Sequence, residues 1–333
     1  MSLSTIKSLT LLIAPFFLWG TAMVAMKAVI DDSSPLFMAG FRLVPAGILL
    51  LAVTLWQKRQ QPSSFKAWLW IILFALVDGT MFQGFLAQGL NHTGAGLGSV
   101  IIDSQPLAVA LMSSWLFGEV IGLWGSLGLA VGIAGISLIG LPEQWLDTIW
   151  QGHWPEITLS WSSFLASGEM LMLFASFSMA IGTILIRYVS RHSDPIVATA
   201  WHMILGGIPL LLASACWENE QWINISNQGW IALIYSAVFG SAIAYGLFFY
   251  LASSGNLTSL SSLTFLTPVF ALSFGNIFLS EDLSSLQWFG VSLTIVSIYL
   301  INQRENINRQ ITNTYSFIVK LIKSEKQTAD PNF

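Results

Sequence analysis

The chain has 333 residues, 54% of them hydrophobic and only 9% charged, with a formal net charge of -4 and a mean hydropathy of +0.69. A soluble domain needs roughly a quarter of its residues charged to cover its outside, so this composition, with 22 Phe and 15 Trp, excludes a water-soluble fold. The small net charge and the lack of a basic stripe argue against a nucleic-acid partner.

One cysteine, Cys216, rules out an internal disulfide. The four histidines, His92, His153, His192 and His202, are scattered and suggest no metal site. No HExxH, P-loop, GxGxxG or GxSxG pattern occurs, so the residues point to neither a cofactor nor an enzyme.

A helix crossing about 30 Å of hydrocarbon needs roughly 20 apolar residues. Ten such stretches follow one another: 9–28, 35–56, 67–88, 95–117, 122–140, 165–187, 195–216, 229–250, 257–279 and 286–302. The first is too long for a signal-peptide core and lacks a small-residue cleavage site, so it reads as a retained helix. Asp31-Asp32-Ser33-Ser34-Pro35 and Ser193-Asp194-Pro195 place a capping residue before a proline, and Asn256 and Ser284 stand where further caps are expected. Between spans five and six, the loop 141–164 carries Trp145, Trp150, Trp154 and Trp161 and suits the exterior headgroup layer. The tail 303–333 is polar, with Tyr315 to Ile322 as a candidate surface helix and disorder as the alternative.

Charge sets the expected orientation. With the amino terminus cytoplasmic, every Lys and Arg except Lys27 and Arg42 falls on the cytoplasmic side. The exterior loops hold acids such as Asp31, Glu143, Glu218 and Glu281. The positive-inside rule then fits ten spans with both termini cytoplasmic, in a bacterial-type plasma membrane.

The halves 9–140 and 165–302 share ordered landmarks. Gly84, Ser99, Pro106, Glu119 and Gly128 recur 162 residues later as Gly246, Ser261, Pro268, Glu281 and Gly290. Gly20-Thr21 recurs as Gly182-Thr183, and, after a two-residue contraction, Pro35 and Gly47 recur as Pro195 and Gly207. Because each half holds an odd number of spans, the second must lie inverted with respect to the first. Inverted repeats around a central site are a common architecture of secondary transporters. The fold expected is thus an all-α integral membrane protein of ten transmembrane helices in two inverted five-helix repeats.

The motifs agree with one family. Trp19-Gly20-Thr21, Phe41-Arg42, Asn91-His92-Thr93-Gly94-Ala95-Gly96, Pro106-Leu107 and Phe117-Gly118-Glu119 in the first half, with Gly168-Glu169, Pro268-Val269-Phe270 and Leu279-Ser280-Glu281 in the second, resemble the EamA-type branch of the drug/metabolite transporter superfamily. The resemblance covers about residues 10–302 without the long loop. It implies an exporter of amino acids or other small metabolites that needs no bound cofactor. An intramembrane lipid-modifying enzyme and a non-transporting scaffold or sensor are the alternatives; the first would need carboxylates or histidines converging at one interface.

Several polar residues lie at membrane depth, where a charge needs a partner or water. Arg42 sits roughly 10 Å inside span two at 1.5 Å per residue, and Asp103 is similarly deep in span four. Either they form a fixed ion pair, or Arg42 meets a substrate carboxylate and Asp103 an amine or a proton. His202 is the repeat counterpart of Arg42. Asp78, near the middle of span three, is either a proton-coupling site or a neutral acid hydrogen-bonded to another helix. Asp103, Ser104 and Gln105 cluster beside Pro106, which with Pro268 should kink spans four and nine and free the carbonyls of Ile102 and Thr264. Glu119 and Glu281 read as structural acids in turns, near a helix's positive end. Gly122, Gly125, Gly128, Gly132 and Gly135 line one face of span five and invite a close neighbour, from the same chain or a second protomer. The expected partners are membrane lipid, a small-molecule substrate and protons; the oligomeric state is open.

Overall fold

Helix starts follow the chemistry of their first residues. Ser64 and Ser226 accept hydrogen bonds from the backbone N–H groups of Ala67 and Gly229, and Asp194 accepts from Ile196 and Val197. Asn256 accepts from Ser259, and Ser284 and Gln287 exchange hydrogen bonds across the first turn of the last helix. The start of span two differs from expectation. Ser34 makes no side-chain cap; instead the Glu218 carboxylate, far along the chain, accepts from the N–H groups of Leu36 and Phe37 at 2.9 and 3.0 Å.

The computed structural model of the chain describes residues 3–27, 29, 32–92, 101–140, 168–279 and 284–328. These form α1 (Leu3–Lys27), α2 (Pro35–Trp56), α3 (Phe65–Phe74), a π-helix π1 (Ala75–Phe82) and α4 (Gln83–His92). After them come α5 (Ile101–Phe117), α6 (Gly122–Gly140), α7 (Gly168–Val189), α8 (Pro195–Trp217), α9 (Asn227–Tyr235), a second π-helix π2 (Ser236–Ile243) and α10 (Ala244–Ser254). The chain closes with α11 (Leu257–Ser262), a 3-10 turn (Leu263–Phe265), α12 (Leu266–Leu279) and α13 (Ser285–Thr328). Eight described helical stretches are long and apolar enough to cross a membrane, and shorter apolar helices at Thr10–Met26 and Ile101–Phe117 fall on the remaining two expected spans. The protein is all-α and multi-pass. The loop 141–164, with His153 and its tryptophans, and Glu281 lie outside the described residues.

Four spans are interrupted. Spans three and eight, continuous through α3–π1–α4 and α9–π2–α10, each carry a π segment in which the backbone hydrogen bond reaches five residues rather than four. Span four breaks at Ser104, two residues before Pro106, and span nine tightens to 3-10 at Leu263–Phe265, shortly before Pro268. The Ile102 carbonyl, freed by Pro106, accepts from the Ser176 hydroxyl at 3.4 Å.

Small residues set the packing. Along α2 and α8, Gly40 abuts Leu211, Val44 abuts Gly207 and Gly47 abuts Ile204, so the two helices run antiparallel. The glycine face of α6 meets α13 of the same chain: Gly128 abuts Ile301, Gly132 Ser297 and Gly135 Thr294, again antiparallel. π1 packs on α7 and α8, and π2 on α1 and α2.

Hydrogen bonds gather the connecting segments at two opposite ends. At one, Arg59 pairs with Asp194 at 2.9 Å, Arg187 with Glu119 at 3.3 Å, and Arg304 donates to the Val120 carbonyl. At the other, Glu218 meets Leu36, Ser33 donates to the Gln221 carbonyl, and Gln287 donates to the Ile139 carbonyl. The polar tail is not a separate element: α13 runs from span ten to Thr328 without a break.

Candidate functional site

The centre of the bundle is built around Asp78. π1 turns this carboxylate inward, where it is 1% exposed, and its Oδ2 lies 3.2 Å from Nε2 of His202 on α8. His202 is fully buried, and its Nδ1 stands 2.6 Å from the Thr199 carbonyl one turn back. Phe74 stacks on the imidazole at 4.1 Å and Phe249 meets it edge-on at 5.5 Å. Gly182 of α7 leaves the space for the carboxylate, since a Cβ there would collide with Asp78 Oδ1. Oδ1 itself has no hydrogen-bond partner. An acid in a dry site is held by the single partner that geometry gives it, because desolvation penalises a free charge heavily.

One turn along, Gln83 donates to the Tyr245 hydroxyl of α10 at 2.7 Å. Tyr245 lies within electrostatic reach of both Asp78 and Arg42, and Trp19 of α1 packs edge-on against it at 5.2 Å. Trp19, Phe16, Phe248 and Phe249 form the aromatic wall beside this polar centre. Arg42 of α2 is half-buried, and its Nε has no partner, nor does the Trp19 indole N–H.

The polar run beside Pro106 divides by role. Ser104 donates to the Ile101 carbonyl at 2.6 Å and so belongs to the helix break itself. Gln105 reaches across to α7, donating to the Thr183 hydroxyl at 3.2 Å, while its Oε1 is unpartnered. Asp103 is 8% exposed. Among the described residues it forms no ion pair with Arg42, so the fixed-pair arrangement is not the one observed. Buried polar atoms without partners are normally rare; among the described residues they include atoms of Trp19, Arg42, Asp78, Gln105, Ser241 and Thr267, with others on Ser34, Arg187, Ser193 and Ser214.

Glu119 caps a helix, although not the one that follows it. Its carboxylate accepts from the N–H groups of Leu257 and Thr258 at 2.9 and 3.1 Å and from the Thr258 hydroxyl at 2.9 Å, opening α11 of the other half. Burial alone would raise its affinity for a proton, but these donors and the Arg187 guanidinium outweigh burial and hold the carboxyl below its ordinary range.

Two recesses flank the centre. A largely apolar groove of about 470 Å³ is lined by Leu36, Thr80, Gly84, Phe85, Pro209 and Trp217, and a polar one of about 430 Å³ by Gln60, Ser63, Arg191 and Asp194. They lie toward opposite ends of α8, and neither includes Asp78, His202 or Tyr245. Among the described residues no group of side chains is arranged to hold a metal ion.

The pairing of Asp78 with His202 was not readable from their separate places in the chain. Gly182 was the available signal, as the residue facing the carboxylate, but it was visible only as a repeat landmark.

Comparison with known proteins gives this architecture a family. The EamA-like transporter family matches twice, over residues 6–141 and 166–303. The transporter sll0355 of Synechocystis is 63% identical over 95% of this chain and 96% of its own length. The WAT1-related protein At3g02690, chloroplastic, of Arabidopsis thaliana is 52% identical over 88% of this chain and 69% of its own length. The S-adenosylmethionine/S-adenosylhomocysteine transporter of Chlamydia muridarum is 27% identical over 87% of this chain and 89% of its own. A solved crystal structure shares the fold at a TM-score of 0.71 and 17% identity, covering 88% of this chain and 96% of that one. With no catalytic motif and two full family matches, the chain belongs to the EamA-like transporter family: it is a multi-pass integral membrane protein and a secondary transporter of the drug/metabolite transporter superfamily.

Proposed function

We propose that this protein exports a small metabolite, an amino acid or a related compound, in exchange for protons carried at Asp78. The observation that carries this reading is the buried contact between Asp78 and His202, closed off from the recesses at either end. A carrier driven by a proton gradient needs a group that takes up a proton facing one side and releases it facing the other. A carboxylate at membrane depth with one titratable partner meets that need. Arg42 and Asp103, unpaired with each other, are the groups for a substrate carboxylate and amine, with Gln105 beside them. A relative whose name gives S-adenosylmethionine, an amino-acid derivative, as cargo agrees with this solute class.

The architecture we infer is ten spans in two inverted five-helix repeats with both termini cytoplasmic. Support comes from the antiparallel packing of corresponding helices, α2 on α8 and α6 on α13, and from π1 and π2 at matching places in the two halves. The end carrying Arg59, Arg187, Arg191 and Arg304 is the cytoplasmic one by the positive-inside rule.

The test begins with metabolite profiling of cells with and without the protein, which names the solute, and continues in proteoliposomes. Asp78→Asn is expected to retain exchange of solute between two loaded compartments and to lose accumulation driven by a pH gradient. Full pH-driven accumulation by Asp78→Asn would remove the carboxylate from the coupling role.

A further inference from the structure

Both nitrogens of the His202 ring face oxygen atoms, and this restricts where protons can be. The Thr199 carbonyl can only accept, so Nδ1, 2.6 Å away, carries a hydrogen. In a neutral imidazole that leaves Nε2 as a bare lone pair. Nε2 lies 3.2 Å from Asp78 Oδ2. A bare nitrogen against a carboxylate oxygen sets lone pair against lone pair. The contact is attractive only with a hydrogen between them, either on the acid donating to Nε2 or on an imidazolium donating to the carboxylate. In both forms the pair is neutral overall and holds one proton that can leave.

We propose that the packed Asp78–His202 contact is the proton-loaded form of the carrier, and that loss of the shared proton forces the two side chains, and with them π1 and α8, apart. This rests on the reading of Asp78 as the coupling site and gives it a mechanical consequence. When the O–H or N–H bond breaks, its electron pair stays behind and the proton passes to water on the open side. A net negative charge then remains in a site walled by Phe74 and Phe249, where Asp78 Oδ1 already lacks a donor.

The surroundings offer little to compensate. α7 presents Gly182; α10 presents Tyr245, whose hydroxyl oxygen accepts from Gln83 and whose O–H makes no hydrogen bond to Asp78 Oδ1; α2 presents Arg42, which like Asp78 is in electrostatic reach of Tyr245. The sign follows directly: low pH holds the contact, and rising pH releases it. Gly79 against Gly206, with the Thr80 hydroxyl donating to the Gly206 carbonyl at 2.9 Å, ties π1 to α8 next to the pair. In the proposal, separation at Asp78–His202 is passed to π1 and α8 through this adjoining contact.

The experiment is acylation of the full-length protein by diethyl pyrocarbonate across a pH series, read residue by residue by mass spectrometry. Exposed His192 is the internal reference for the reagent's own pH dependence. His202 is expected to be protected relative to His192 at acid pH and to lose that protection as pH rises. In Asp78→Asn the amide N–H donates to Nε2 and cannot be lost, so His202 should stay protected throughout. A His202-to-His192 ratio that is flat with pH in the native protein overturns the proposal, and this measurement needs no variant. So does an Asp78→Asn protein that loses protection as the native one does. If His202 follows the expected pattern while Asp78→Asn keeps pH-driven accumulation, the proton-locked contact stands and the coupling role fails. A flat ratio with accumulation lost gives the reverse.

Discussion

Gly79 and Gly206 meet backbone to backbone: a Cβ on Gly79 would stand 2.8 Å from the Cα of Gly206, and one on Gly206 would stand 2.6 Å from the Cα of Gly79. No side chain can be added to either without moving π1 from α8. Gly206→Val is expected to lower stability by about 1–3 kcal/mol through overpacking, read as a fall in the melting temperature of purified protein in detergent. Gly246→Ala is the control, because its Cβ would make only ordinary contact with Leu50 at 3.5 Å. Equal effects at both positions would contradict the close approach.

The cap that Glu119 provides for α11 should be visible as a pH dependence. Its folded carboxyl is held below the ordinary carboxylate range. The contribution is therefore fully present above the ordinary range and is lost as pH falls through the lower, folded value. Acidification should lower the melting temperature, and Glu119→Gln should flatten that slope while costing about 1 kcal/mol near neutral pH. An unchanged slope in Glu119→Gln would assign the acid dependence elsewhere.

Arg304 knots several segments together at the same end. It is 3% exposed and donates to the Val120 and Ile301 carbonyls, Ser259 and Asn256. Removing it leaves these acceptors without their donor, at a cost of roughly 1–3 kcal/mol. Arg304→Ala should melt earlier, and Arg304→Lys should not restore the loss, because one ammonium cannot span the guanidinium's fork. Full rescue by lysine would mean that charge alone matters.

Arg42 and Asp103 make no ion pair, so reversing both charges should not repair what each single reversal damages. Arg42→Asp and Asp103→Arg are expected to abolish flux separately, and the double variant to remain inactive. Recovery of folding and flux together in the double variant would restore the pair as a structural unit.

The inferred topology has its own readout. In a background lacking the exposed Cys216, single cysteines at Ser63 and Gln303 should label from the cytoplasmic side and one at Glu220 from the exterior. Labelling of positions 63 and 220 from the same side would break the ten-span arrangement and the inversion with it.

What the sequence revealed was mostly local. Pro35 and Pro195 mark helix starts because their ring suits the first helical position, and the Pro106 kink appears two residues earlier because the ring excludes a helical bond there. Apolar length found the spans, since lipid solvates whatever is apolar for long enough. Contacts across the chain were hidden. Nothing near Ser34 foretells that Glu218 will cap α2, and His202 is 124 positions from Asp78. The π segments were invisible because composition does not tell an i+5 from an i+4 hydrogen bond; what is seen at Ala75–Phe82 is its packing against Gly182 and Gly206. The candidate helix at Tyr315–Ile322 is part of the longer α13; polar composition says where the membrane ends, not where the helix does.

That unbroken last helix has a geometric consequence. α13 continues to Thr328, 26 residues past Asn302 where its apolar stretch ends, or roughly 39 Å at 1.5 Å per residue. A rod this long magnifies angle into distance: tilting it by about 10° inside the bilayer would sweep its tip through roughly 7 Å. Since α6 grips α13 through its glycines, small rotations of that helix pair become displacements at Thr328 large enough for a distance probe to follow transport from outside the membrane.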